Sequence, residues 1–95
     1  MKIKIVQTVD LTGSLKDLDA NIKYLIDSSK IISRMGWNKQ DEESVRKTNL
    51  NDAGWLKKFK KAILKKDLKL AGKIARDMDT SVREYIPDQI YNLLP

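Results

Sequence analysis

The side chains in this sequence best equipped to engage a partner are cations at helical spacing. Residues 57–76 carry nine lysines and arginines and a single acid, Asp67. Lys57, Lys58, Lys60, Lys61 and Lys65 fall opposite the apolar residues of one amphipathic segment, and Lys69, Lys73 and Arg76 line one side of the next. Ammonium groups spread over two adjacent helices can follow a phosphate backbone and release its condensed counterions. The expected partner is therefore nucleic acid, or a protein surface that is itself acidic. Fifteen lysines against four arginines supply charge with few of the forked donors that read guanine edges, so backbone or shape recognition is expected over base-specific reading. The competing explanation is a solvated face that keeps a small helical protein in solution.

Catalytic chemistry is poorly supplied. The chain has no cysteine and no histidine, which removes thiolate nucleophiles, imidazole bases, disulfides and the usual zinc ligands. Ser44-Val45-Arg46-Lys47 fits a Ser-x-x-Lys pattern, but its companion motifs are missing and the chain is far shorter than the enzymes that use it. Asp77 and Asp79 stand two apart, a spacing that on a helix sends the carboxylates in different directions. Asn49, Asn51, Asp52 and Gly54 make a partial calcium-loop pattern with the wrong spacing, and Lys60 stands where a bidentate acid is needed. These observations predict a binder without enzymatic activity, cofactor or metal.

The elements that position the cations follow from periodicity. A chain of 95 residues, 41% apolar and 34% charged, can form one domain with one modest, mainly aliphatic core. Residues 2–9 alternate, with Ile3, Ile5 and Val9 on one face and Lys2, Lys4 and Thr8 on the other, and read as a strand. No second segment alternates, so Lys2, Ile3, Lys4 and Ile5 are candidates for strand pairing with another chain, as in a homodimer, or for an extended arm laid along the helices. Ser14 through Asp17 suggests a helix start, and Leu15, Leu18, Ile22, Leu25, Ser29 and Ile32 form a buried stripe, widened by Ile26, that places a first helix at about 15–35. A second stripe of Tyr24, Ile31 and Met35 offers either core packing or a subunit contact. Residues 37–51 read as a polar connector.

A helical hairpin is expected next, at 52–66 and 68–79. Trp55, Leu56, Phe59, Ala62 and Ile63 form the apolar side of its first arm, and Leu68, Leu70, Ala71, Ile74, Ala75 and Met78 that of its second, with Asp67 as the cap between them. Trp55 and Phe59 lie with the apolar side and are expected in the core rather than stacked on bases. Ser81-Val82-Arg83-Glu84 suggests a capping box, and a final helix at 87–94 carries Ile90, Leu93 and Leu94. The fold class expected is mainly α: a small helical domain with an N-terminal β-strand, a long first helix, an antiparallel helical hairpin and a short C-terminal helix.

Two partial likenesses are weaker. Trp55, Asp67 and Ala71 have spacings similar to one tetratricopeptide unit, over about a third of the chain and without the other signature residues. The strand-first order resembles the ribbon-helix-helix plan in architecture alone, with Lys2, Lys4 and Thr8 in the place of its base readers. Residues 55–66 also have the layout of a cationic amphipathic peptide, but their apolar side is needed for the core, which ranks a membrane-surface role last. The opening residues are too briefly apolar for a signal peptide or a membrane span, and a cytoplasmic protein is expected. A short, lysine-rich binder also suits a protein–protein inhibitor or adaptor of the kind phages and mobile elements encode, docking on an acidic or nucleic-acid-binding surface of a larger complex.

Overall fold

The computed structural model describes residues 2–4, 8–31 and 38–95. Its elements are β1 (Lys2–Lys4), β2 (Thr8–Asp10), α1 (Thr12–Ile31), α2 (Lys39–Leu64), α3 (Leu68–Asp77), α4 (Thr80–Arg83) and α5 (Asp88–Tyr91). The fold is mainly helical, with long α1 packed on α2, and α2 packed in turn on α3. At about 1.5 Å per residue, the 26 residues of α2 span about 39 Å, most of the long dimension of a molecule measuring 51 × 23 × 18 Å.

The N-terminal segment is not a single strand. β1 and β2 pair antiparallel, with Lys2 opposite Asp10, Ile3 opposite Val9 and Lys4 opposite Thr8. Backbone donors and acceptors seek partners, and this chain supplies them to itself by folding the segment back. β2 thus gives Lys2, Ile3 and Lys4 a partner within the chain along one edge of β1, while Ile5 lies outside the described residues. A cis hairpin also departs from the ribbon-helix-helix plan, whose strand pairs across a dimer. Val9 is half-buried and packs against the core.

Helix α1 begins earlier than Ser14. The Asp10 carboxylate accepts from the Thr12 amide at 3.0 Å and from the Thr12 hydroxyl at 2.7 Å, covering a donor that the helix start leaves without an intrahelical acceptor. Those two bonds, the amide first, hold the Asp10 carboxyl below its usual pKa. Leu15, Leu18, Ile22, Leu25 and Ser29 are buried, as the stripe requires, and the Ser29 hydroxyl is satisfied by the Ile26 carbonyl at 2.6 Å. Ile32 and Met35 lie outside the described residues. Tyr24 is 61% exposed, so core packing does not account for the second stripe at that position.

The polar connector expected over 37–51 is instead the first half of α2. Asn38 caps it, accepting from the Asp41 amide at 2.8 Å and donating to the Asp41 carboxylate at 2.9 Å. Asp41 and Glu42 suit the positive end of the helix dipole, and Glu43 pairs with Lys47 one turn on at 3.6 Å. The inward stripe continues unbroken through this half, but in Glu42, Val45, Arg46 and Asn49, all half-buried. Arg46 donates through Nε to the Ser29 carbonyl at 3.1 Å, joining the last turn of α1 to α2. Further along, Ala53, Leu56, Phe59, Ala62 and Ile63 are buried.

The hairpin of α2 and α3 turns at Lys65-Lys66-Asp67. The Lys66 amide donates to the Ile63 carbonyl at 2.9 Å and the Asp67 amide to the Ala62 carbonyl at 3.0 Å, the bond pair of a Schellman turn. Lys66 takes the left-handed position with φ 60°. Asp67 caps α3 by accepting from the Leu70 amide at 3.0 Å, as expected. Ala71, Ala75 and Met78 close on the core, and Leu68 and Ile74 are partly buried against it. Leu70, expected on the buried side, is 42% exposed, because two residues beyond Leu68 on a helix point away from the core.

The C-terminal segment runs back along α1. α4 begins at Thr80 after Asp79 rather than after Ser81, and the final helix is reduced to four residues. Asn21 donates to the Tyr85 carbonyl at 2.8 Å. Gln89 accepts from the Ser14 hydroxyl and donates to the Asp10 carbonyl at 3.2 Å. Val82, Ile86 and Ile90 are buried, and Leu93 and Leu94 partly so.

Candidate nucleic-acid interface

The packing just described decides which cations face solvent. With Leu56, Phe59 and Ile63 turned inward, successive residues at about 100° intervals put Lys57, Lys58, Lys61 and Lys65 on the outer side of α2, and all four are exposed. On α3, burial of Ala71 and Ala75 leaves Lys69, Lys73 and Arg76 exposed in one row. Both rows belong to neighbouring helices joined by three residues, and Lys66, exposed at the turn between them, adds a cation that helical periodicity alone does not place on either row.

Lys60 is different. It lies on the flank of α2 toward α1, half-buried, and its ammonium is engaged with the Asp19 carboxylate. Its charge is used within the fold, so it separates from the other predicted site residues. Lys58 sits 5.2 Å from the centre of the Trp55 ring, within cation–π range. Trp55 is half-buried against the core and Phe59 fully buried, which leaves Phe59 no face for a base. Among the described residues, no carboxylate is ion-paired with Lys57, Lys58, Lys61, Lys65, Lys69, Lys73 or Arg76.

The other groups weighed for chemistry are dispersed. Ser44 and Lys47 lie on the exposed side of α2, with Lys47 paired to Glu43 and the Ser44 carbonyl accepting from the Thr48 hydroxyl at 3.0 Å. Asn49, Asn51, Asp52 and Gly54 are helical, so they form no calcium loop. Asp77 ends α3 and Asp79 precedes α4. Burial, followed by the nearby Asp79 charge, raises the Asp52 carboxyl above its usual pKa. Among the described residues no group of three or more metal-ligating side chains comes together, and no helix is long and apolar enough to cross a membrane.

In comparisons with family models, curated proteins and solved structures, none matches this chain.

Proposed function

We propose that this chain is a non-enzymatic regulatory binding protein that engages nucleic acid, free or within a nucleoprotein complex, through the lysine-rich outer side of α2 and α3. One observation carries the reading: the cations of these two packed helices are exposed and, apart from Lys60, are left without carboxylate partners among the described residues. A face serving solubility alone gains from interspersed charges of both signs, whereas Asp67, spent on capping α3, is the one acid in residues 57–76. The geometry suits contact with phosphates, and the scarcity of arginine suits recognition by backbone and shape.

A second reading rests on a separate observation. Leu50 is 47% exposed and Leu64 49% exposed, and helical spacing sets both on the side of α2 that carries Lys57 and Lys61. Leucines among cations suit the acidic surface of a protein partner, which the chain would occupy as an inhibitor or adaptor. In either role the protein acts in the cytoplasm. A homodimer would use the N-terminal strand or α1, where Tyr24 is exposed.

The deciding experiment replaces Lys57, Lys58, Lys61 and Lys65 together by Gln and measures nucleic-acid binding by gel shift at two salt concentrations, beside a pull-down from nuclease-treated lysate. Weakened, less salt-dependent binding in a folded variant supports the nucleic-acid reading. Capture of an acidic protein by the unmodified chain, lost in the variant and indifferent to nuclease, favours the second reading.

A further inference from the structure

Arg76, the last cation of the α3 row, meets Arg83 at a pocket that, among the described residues, no lysine lines. A cavity of about 240 Å³ is bounded by Gly72 and Arg76 of α3, Arg83 of α4, Tyr91 of α5, and Leu94 and Pro95. Two of the chain's four arginines thus come from different helices to one concavity. Neither is ion-paired among the described residues. Among the described residues no acid lines this pocket; Glu84 and Asp88 line a neighbouring concavity that Arg83 and Tyr91 also border.

Arg83 is held but not saturated. One Nη donates to the Thr80 hydroxyl at 2.9 Å, which fixes the guanidinium at the start of α4. Its Nε is buried and has no hydrogen-bond partner. A guanidinium carries five N–H donors, and a buried one left without an acceptor is costly. An anion in the pocket would supply a counter-charge to Arg76 and Arg83.

Gly72 adds an independent indication. It is buried in the middle of α3, where glycine weakens a helix relative to alanine. A Cβ built there would lie 3.3 Å from Pro95 Cδ and 3.6 Å from an Nη of Arg76. The absent side chain lets Pro95 close on α3 and leaves the pocket wall bare beside Arg76.

We infer that this pocket binds a phosphate monoester, with Arg76 and Arg83 on the phosphate oxygens and the organic part against Leu94, Pro95 and Tyr91. Two guanidinium groups from separate helices match the charge and the divergent acceptors of a tetrahedral dianion. The volume also leaves room beside the anion. The ester is either a small free phosphomonoester or the terminal phosphate of an oligonucleotide. The site shares Arg76 with the cationic row of α3 but is lined by none of the described lysines.

The test follows the arginine Nε–H signals by nitrogen-edited NMR while inorganic phosphate is added at constant ionic strength, with acetate as the control anion. Saturable shifts at Arg76 and Arg83 with phosphate, and none comparable with acetate, are expected. Arg76→Gln and Arg83→Gln should each weaken binding about tenfold, the size of one lost charge-assisted hydrogen bond. Gly72→Ala, which favours the helix, should weaken binding while the fold persists, and the fourfold lysine variant should bind phosphate normally. A mononucleotide 5′-phosphate and an oligonucleotide with or without a 5′-phosphate then separate the sources. A preference for the phosphorylated oligonucleotide over its hydroxyl twin and over the mononucleotide assigns the terminus, and the reverse order assigns the free ester. No saturable shift, equal response to acetate, or full affinity in both Arg83→Gln and Gly72→Ala would overturn the proposal.

Discussion

Replacing Lys66 by glycine should stabilise the protein, although it deletes a side chain from the middle of the cationic hairpin. Lys66 holds φ 60° because the turn needs a left-handed residue to deliver two amides to the Ile63 and Ala62 carbonyls. For an L-residue that conformation costs about 1–2 kcal/mol, a cost glycine escapes. Against this, glycine brings extra freedom to the unfolded chain, worth about 0.5–1 kcal/mol. The net gain is therefore up to about 1.5 kcal/mol, which for a domain of this size raises Tm by up to about 12 °C. Thermal unfolding followed by helical circular dichroism, and urea titration at unchanged m-value, measure it. Lys66→Asn should move in the same direction by less, and Lys66→Val should lower Tm, since a β-branched residue fits the left-handed region worst. A Lys66→Gly variant less stable than the natural protein, with Lys66→Val unchanged, would refute the turn geometry and with it the placement of α3 beside α2.

Other perturbations separate packing from charge. Phe59→Ala removes the largest fully buried side chain among the described residues and should cost about 3–5 kcal/mol in urea unfolding. Asp67→Ala removes the cap of α3 and should cost about 1 kcal/mol. Lys60→Gln breaks the pair with Asp19 and should lower stability by about 0.2–1 kcal/mol while leaving nucleic-acid affinity unchanged, and Lys61→Gln should do the opposite. Asp52→Asn tests the raised Asp52 pKa. A folded pKa above the unfolded one favours the native state at low pH and loses that contribution as pH rises through the folded value. The variant should therefore melt higher than the natural protein at pH 7, and the gap should close below about pH 4.

The sequence discloses most where residue type and position agree. In α1, Leu15, Leu18, Ile22, Leu25 and Ser29 occupy one face and are all buried, even though serine is a weak hydrophobic signal; a hydroxyl that bonds back to the Ile26 carbonyl can take a core position. The first half of α2 is hidden because Glu42, Arg46 and Asn49 fill inward positions and are only half-buried, with Arg46 reaching the Ser29 carbonyl. Periodicity in hydrophobicity cannot register them, and the signal that remains is the Asn38 cap and the run of good helix formers behind it. The N-terminal hairpin is equally obscure, since three-residue strands are too short to show their own alternation. At the interface, the outward direction of Lys57, Lys61, Lys69 and Lys73 follows from the core residues between them. The separation of Lys60 does not, because its partner Asp19 lies 41 residues away in sequence.

The most direct measurement of the central claim is the salt dependence of nucleic-acid affinity for the natural chain and for the fourfold Lys57, Lys58, Lys61 and Lys65 to Gln variant. Each phosphate contact on duplex DNA contributes about 0.9 to the slope of log K against log salt, so four lost contacts should flatten it by up to about 3.6. The account expects that flattening together with weaker binding, in a protein whose helical content and Tm are retained. A folded variant that binds with the natural affinity and slope would contradict it.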